Sequence, residues 1–206
     1  MDLAQLSQCR SIDEVISGLK GTIYYSPLES LRQKGQAALP ACETAVDMLY
    51  FKTVWKIKEK YLSGQEKKDL TQCFGTRMDM LNLQWICRAK KYYHLPEGEI
   101  YAMIIPISLH LKKTEIRAMA QAEDVEQVYA LIRNSWYGRL DLGNLEKGQS
   151  LEEPCREVID RIYELTSRKE PYSASVLNSY LYFKEREIEK IITTIERIRY
   201  GVAAGI

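Results

Sequence analysis

The last long stretch of the chain, residues 173–202, carries apolar side chains at alternating spacings of three and four residues. Its stripe consists of Leu177, Leu181, Ile188, Ile191, Ile195, Ile198 and Val202, and Lys184 interrupts it. This periodicity predicts one amphipathic helix of about 40 Å, at 1.5 Å per residue. Such a helix cannot hide its stripe in a small core. It must be a strut in a larger helical body or one side of an interface.

Signals of helix ends recur along the whole chain, and no segment shows the sustained two-residue alternation of a half-buried strand. Capping-box patterns predict helix starts at residues 11–14, 63–66, 124–127 and 150–153. Gly75 predicts the end of one helix and Thr76 the cap of the next. Turns or loops are expected at residues 22–27 and 140–149. The fold class is therefore all-α.

Composition excludes several classes of protein. Hydrophobic residues make up 46% and charged residues 28% of the 206 residues, which suits a packed core. The net charge of +1 and the absence of a recognisable nucleic-acid-binding motif argue against a nucleic-acid partner. The cysteines are odd in number and form no C-x-x-C pair, which favours buried thiols in a reducing compartment. The most apolar run, 100–109, is too short to span a bilayer and contains Pro106.

The sequence contains a predicted internal repeat. When the early segment is shifted by 113 residues, its side chains fall on residues of similar chemical type in the late segment. The pairs include Ser11 with Asp124, Val15 with Val128, Leu19 with Ile132, Cys42 with Cys155 and Tyr50 with Tyr163. At an offset of 108, Asp79 pairs with Glu187, Met80 with Ile188 and Leu83 with Ile191. We therefore expect two related helical units, 1–113 and 114–206. Bodies of this kind act by holding partners on an extended surface.

No catalytic constellation stands out. His94 and His110 lack the spacing of a metal-binding pair on a helix. The sequence contains neither of the phosphate-binding motifs G-x-x-x-x-G-K-[ST] and G-x-G-x-x-G, and it contains no G-x-S-x-G. A catalytic cysteine–histidine pair stays open because nothing singles one out. The sequence predicts no metal site and no cofactor.

The notable polar residues lie on otherwise apolar helices. Asp79 and Asn82 are three residues apart and share a helix face, and Arg88 and Lys90 follow on the same helix. Lys184 lies within the stripe, and its neighbours include Glu185 and Glu187. Three interpretations stay open for Lys184 and for the Asp79/Asn82 pair: a polar contact between helices, a partner-facing role and simple exposure.

Three segments resemble one family in the right order along nearly the whole chain. CFGTRMDMLNLQWICRAKKYY resembles the G-x-x-x-D-x-x-N-[IL]…R-x-K helix of the C subunit of V-type and A-type rotary ATPases, which is called the d subunit in eukaryotes. AEDVEQVYALIRNSWYGRL resembles that family's short helix and polar-Tyr turn. SYLYFKEREIEKIITTIERIRYG resembles its C-terminal K-E-x-E-I helix.

The resemblance implies a non-catalytic rotor adaptor on the cytoplasmic face of the membrane, which contributes to ATP-coupled proton or sodium transport and binds no nucleotide of its own. Members of the family are all-α funnels of three related helical domains. The wide mouth receives the D and F subunits of the central stalk, and the other face rests on the membrane proteolipid ring. By position, the first motif is matched by Asp79, Asn82, Arg88 and Lys90, and the last by Lys184, Glu185, Glu187 and Ile188. For these residues the resemblance implies contacts with a partner or between domains.

Family members are longer than this chain, and two repeats are visible here where the family has three. The first repeat begins close to Met1, so the absent part would be N-terminal, in a fragment, a chain with a misplaced start or a shortened relative. We expect duplicated helical domains in a curved or partial-funnel arrangement. The alternatives are a free-standing helical scaffold that binds a different protein, and a small enzyme that uses one cysteine.

Overall fold

The computed structural model describes residues 3–140, 142 and 150–201. Its α-helices are α1 (Leu3–Leu6), α2 (Ile12–Gly18), α3 (Tyr25–Gln33), α4 (Leu39–Tyr61), α5 (Gly64–Arg88), α6 (Glu97–Met103), α7 (Lys113–Gln121), α8 (Val125–Asn134), α9 (Glu152–Ser167) and α10 (Ala174–Arg199). A π-helical turn, Ala89–Tyr93, continues α5, and a 3-10 turn, Trp136–Arg139, follows α8. No strand occurs in the described residues, so the all-α fold is confirmed. Val202 and most of the predicted loop 140–149 lie outside them.

Two helix starts form through the capping side chains that the sequence predicts. The Ser11 hydroxyl accepts a hydrogen bond from the Glu14 backbone N–H at 3.2 Å, and the Asp124 carboxylate accepts one from the Gln127 N–H at 2.9 Å. Ser63 immediately precedes α5, although its side chain makes no capping bond. These helix starts depend on neighbouring residues alone, which explains why the sequence predicts them.

The predicted helix break at Gly75 is wrong. Helix α5 continues through this position, with Gly75 and Thr76 buried inside it. A Cβ atom added at Gly75 would lie 2.8 Å from Cβ of Leu109. The glycine therefore permits a close approach of the segment 104–111, which connects α6 and α7, and does not end a helix.

The predicted turn at residues 22–27 is also only partly correct. Helix α3 already begins at Tyr25, so that Pro27 lies in its first turn. Proline is tolerated there because the first backbone N–H groups of a helix have no partner within the helix.

The largest hydrophobic cluster surrounds the middle of α5. Met80, Leu83 and Ile86 are fully buried there. Their cluster includes Ile116 and Met119 of α7, Val128 and Ile132 of α8, and Cys155 and Val158 of α9. This core contains residues from both sides of the predicted boundary between 113 and 114. The division into two repeated units stays a prediction.

Helix α10 contacts the rest of the chain through one face of its first half. Ser175, Ser179 and Tyr182 are buried, and α10 packs on α9 and α5. The apolar stripe lies on the opposite face, since successive residues of a helix are about 100° apart. Every described residue from 187 to 201 is exposed. Of the two interpretations of the stripe, a strut inside a helical body or one side of an interface, the described helices do not support the first, because α5 and α9 contact the other face of α10.

Candidate functional site

The buried carboxylate of Asp79 fastens the segment 104–111 to α5. It accepts hydrogen bonds from the backbone N–H groups of Leu109 at 3.1 Å, His110 at 2.8 Å and Leu111 at 3.2 Å. The hydroxyl of Tyr137 donates a fourth hydrogen bond at 2.8 Å. Asp79 thereby supplies acceptors to backbone donors that no regular secondary structure satisfies.

Asn82 repeats this arrangement one turn further along α5. Its side-chain amide donates to the Ile105 carbonyl at 3.1 Å, and its side-chain oxygen accepts from the Ile105 N–H at 2.8 Å. Asp79, Asn82 and Ile105 are all buried. The two polar side chains that the sequence places on one helix face thus make contacts inside the chain.

Burial perturbs the ionisable groups around this contact. It raises the pKa of Asp79, and the hydrogen bonds from the His110 backbone and the Tyr137 hydroxyl act in the opposite direction. Burial also raises the pKa of Tyr137, so its hydroxyl stays protonated and continues to donate. The His110 ring stacks on Trp136 with centroids 3.6 Å apart, and burial lowers its pKa, which favours the neutral ring.

Arg88 and Lys90, which follow on the same sequence motif, lie elsewhere. The guanidinium of Arg88 is half exposed and forms an ion pair with Glu152 of α9. Lys90 is half-buried in the π-helical turn. The structure therefore separates the first motif into a buried pair, Asp79 and Asn82, and two positions near the surface.

The charges of the last motif all lie near or at the surface of α10. Lys184 pairs with Glu187 at 2.6 Å, and both side chains are more than half exposed. Glu185 faces Arg77 of α5 at 3.7 Å. These residues do not meet Asp79 or Asn82, so the two motifs do not build one compact polar site.

One surface groove nevertheless brings together a residue from each motif. A cavity of about 360 Å³ between α5, α9 and α10, the charged groove, is lined by Arg77, Arg88, Glu152, Arg156, Glu185 and Glu189 among others. Arginines and glutamates both line its walls, and several of these side chains are half exposed. Such a surface can make ion pairs and hydrogen bonds with a protein segment of mixed charge.

The sequence did not single out some residues that build this region. Asp160 of α9 accepts hydrogen bonds from Arg186 at 2.6 Å and from the Tyr182 hydroxyl at 2.6 Å, which fastens α10 beside the groove. No local pattern marks Asp160. Tyr137 carried a signal, because it lies in the polar-Tyr turn that contributed to the family resemblance.

A second, less polar cavity was also not foreseen. It has a volume of about 310 Å³ and lies between α4, the end of α5 and the π-helical turn, lined by Glu43, Asp47, Trp85 and Tyr93 among others. Its walls come from separate parts of the chain, so no sequence spacing could indicate it.

The stripe of α10 forms an extended, exposed apolar surface. We call it the outer face of α10 and define it as Leu177, Leu181, Lys184, Ile188, Ile191, Ile195 and Ile198. Each of its apolar side chains is more than half exposed. A contiguous apolar surface of this kind indicates an interaction site.

Neither a metal site nor a membrane-spanning helix occurs among the described residues. No group of three or more His, Cys, Asp or Glu side chains is arranged to hold a metal ion in the part of the chain that the structure describes. Over the same residues, none of the helices combines the length and the apolar content needed to cross a bilayer.

Comparison with known proteins gives a consistent family. A family model described as "ATP synthase (C/AC39) subunit" matches residues 1–205. The A-type ATP synthase C subunit of Pyrococcus abyssi is 26% identical over 205 residues, covering 96% of this chain and 54% of the relative. The Pyrococcus horikoshii protein of the same name is 27% identical over 193 residues, covering 89% and 50%. That of Methanobrevibacter smithii is 24% identical over 206 residues, covering 95% and 53%.

The chain thus spans about half the length of the curated relatives it matches. No solved structure matches it significantly. The family match extends over nearly all of the chain and includes the Asp79 helix, the polar-Tyr turn and α10. The chain belongs to the ATP synthase (C/AC39) subunit family.

Proposed function

We propose that this chain is a non-catalytic adaptor in the rotor of an A-type or V-type ATPase. It joins the D and F subunits of the central stalk to the membrane proteolipid ring, on the cytoplasmic face. In this position it transmits torque between ATP turnover and the movement of protons or sodium ions. The observation that carries the proposal is the family match over residues 1–205.

The surface chemistry supports a holding role more than a catalytic one. Burial raises the pKa of Cys73 to about 11 and that of Cys87 to about 12, and it also raises the pKa values of Cys42 and Cys155. The thiolate is the nucleophilic form, so these four thiols are poorly suited to attack a substrate. The charged groove and the outer face of α10, in contrast, are accessible surfaces of the kinds that contact proteins.

We assign the charged groove to the contact with the rest of the rotor. It contains Arg88 of the first family motif and Glu185 of the last, and both side chains are half exposed. Asp79 and Asn82 then act indirectly, because they hold the segment 104–111 against α5, whose surface forms one wall of the groove.

A pull-down tests the proposal. The purified chain is mixed with the D and F subunits and, separately, with the proteolipid ring in detergent. We expect it to bind both partners and to have no ATPase activity alone. Failure of the unmodified chain to bind either partner would overturn the adaptor role and favour a free-standing scaffold.

Charge reversal tests the groove. Arg88→Glu and Glu185→Arg should each weaken binding by about tenfold or more, since like charges would then face the partner. Arg117→Glu is the matched control, because Arg117 is also exposed and faces a glutamate, Glu97 at 4.0 Å, but lies outside the groove. Lys184→Ala examines one of the two motif cations that do not line the groove. Equal losses in all of these variants would reject the groove as the contact. Asp79→Ala is unsuitable here because its loss would disturb the fold.

A further inference from the structure

The outer face of α10 has the seven-residue repeat of a coiled coil. In the usual heptad notation, positions a are Leu181, Ile188 and Ile195, and positions d are Leu177, Lys184, Ile191 and Ile198. Apolar residues at a and d, repeated over several heptads, keep one face of a helix turned toward a partner helix. The spacing therefore specifies the covering partner as another long helix.

No helix described in this chain covers that face. Buried Ser175, Ser179 and Tyr182 lie on the side of α10 that packs on α9 and α5, opposite the heptad positions. Beyond Arg186, the described part of α10 is exposed on all sides. An isoleucine-rich helix surface left in water is unfavourable, so a partner from outside the described residues is expected to cover it.

We propose that the outer face of α10 pairs with the same face of a second copy of this chain, as an antiparallel two-helix coiled coil. A symmetric pair needs a self-complementary surface, in which each group meets its counterpart through the twofold axis. The single charge among the heptad positions meets this requirement. In an antiparallel pair centred near residue 186, each Lys184 lies level with residues 187 and 188 of the other helix, within reach of Glu187.

The same charge argues against parallel pairing. In a parallel, in-register pair, the two Lys184 ammonium groups would lie in one layer and repel each other. The antiparallel pair replaces this repulsion with two Lys184–Glu187 contacts between the chains. Lys184 and Glu187 pair within one helix at 2.6 Å and are both exposed, so each can exchange this partner for its counterpart on the second chain.

The charged groove lies on the side of α10 that faces α5 and α9, so pairing through the outer face leaves the groove accessible.

Sedimentation of the isolated chain at increasing micromolar concentration tests the pairing. We expect a reversible dimer. Ile191→Glu and Ile195→Glu should each raise the dissociation constant by about a hundredfold or more, because each buries a charge in the seam. Thr193→Glu is the matched control, since Thr193 is exposed on the same part of α10 but lies on the opposite face. A monomer at every concentration, or equal dissociation by Thr193→Glu, would overturn the proposal.

A spin label reports the orientation. The label is attached at Glu196→Cys in a chain whose partly exposed Cys9 is changed to serine. Antiparallel pairing centred near residue 186 separates the two labels by about 30 Å along the helix axis. Parallel pairing leaves them only about one interhelical distance apart, roughly 10 Å, and that result would overturn the antiparallel order. Both measurements use the chain alone. A chain that binds the stalk but does not dimerise would overturn only this proposal, and a chain that dimerises but does not bind the stalk would overturn only the proposed function.

Discussion

The middle of α5 and the outer face of α10 contain similar sequence patterns in opposite environments. Each is a long helix whose apolar positions are interrupted by charged or polar side chains, and the predicted repeat even aligns Asp79 with Glu187. Asp79 is fully buried and Glu187 is exposed. The difference lies in the neighbours. An irregular segment, whose backbone N–H groups find no partner in regular secondary structure, crosses α5 at Asp79 and donates to its carboxylate. No described element lies over α10 at Glu187.

This contrast shows what a polar break in an apolar stripe can mean. Beside an irregular segment, the polar side chain replaces the hydrogen bonds that regular structure would provide, and its removal leaves buried donors without acceptors. On an exposed face, the same kind of side chain pairs with a neighbour in water and contributes little. Substitutions at aligned positions of the two helices should therefore differ greatly in effect.

Asp79→Ala should produce the largest effect on stability. It removes the acceptor of three backbone N–H groups and of the Tyr137 hydroxyl, all in or near the core. We expect the free energy of unfolding to fall by about 3 to 5 kcal/mol, measured by urea denaturation. Glu187→Ala, at the aligned position, should cause no resolvable change in the free energy of unfolding of the monomeric chain, because the Glu187 side chain is exposed there. A loss at Asp79 of less than about 1 kcal/mol would show that the contact is not a principal support of the fold.

Asn82→Ala is expected to have the next largest effect. The Ile105 N–H and carbonyl would lose the Asn82 side chain as their partner while remaining buried. The expected loss is about 2 to 3 kcal/mol in the same assay. Lys190→Ala, at the aligned position of α10, is exposed and serves as the control. Similar losses in both variants would contradict the distinction drawn between the two helices.

Local signals predicted much of the fold, and contacts between distant residues account for what they missed. The caps at Ser11 and Asp124 involve residues three apart, and the period of α10 is a property of that segment alone. The role of Gly75 depends on Leu109, which another part of the chain brings close. From the sequence alone, a glycine that ends a helix and a glycine that admits a neighbour look the same.

The candidate site shows the same limit. The sequence identified Arg88 and Glu185 as motif residues but could not place them in one groove, because their approach depends on how α5 and α10 both pack with α9. It also could not decide whether the α10 stripe is buried. Periodicity shows that a helix has an apolar face, and only the positions of the neighbouring helices show what covers it.

Gly75→Ala tests the close approach at α5 with a smaller change. The new methyl group would meet Leu109 at 2.8 Å, so either the side chain or the segment 104–111 must move. We expect a loss of about 1 to 2 kcal/mol, which exceeds the gain in helix propensity. Gly98→Ala in α6 is the control, because nothing lies within 4 Å of an added Cβ there. That variant should be neutral or more stable by about 0.5 kcal/mol. If Gly75→Ala were more stable than the unmodified chain, the close approach of Leu109 would not require glycine at this position.

The dependence of stability on pH should give the smallest effect and the sharpest test of the environment of Asp79. Burial raises its pKa above the ordinary value of 3.8, so the folded chain binds this proton more tightly than the unfolded chain. Between the two pKa values the folded state holds more protons, and stability therefore falls as the pH rises from about 4 and then levels off. Asp79→Asn keeps an acceptor oxygen but cannot titrate.

The comparison of the unmodified chain with Asp79→Asn isolates this contribution. Glu59 contributes the opposite slope in both chains, because hydrogen bonds from Lys58 and Lys67 lower its pKa to about 2. The free energy of unfolding of the unmodified chain minus that of Asp79→Asn should therefore decrease as the pH rises above about 4. Urea denaturation at a series of pH values measures both free energies. An increase over the same range would mean that the four hydrogen bonds outweigh burial. The Asp79 carboxylate would then be stabilised as an anion despite its burial, and in this respect it would resemble the exposed carboxylate of Glu187.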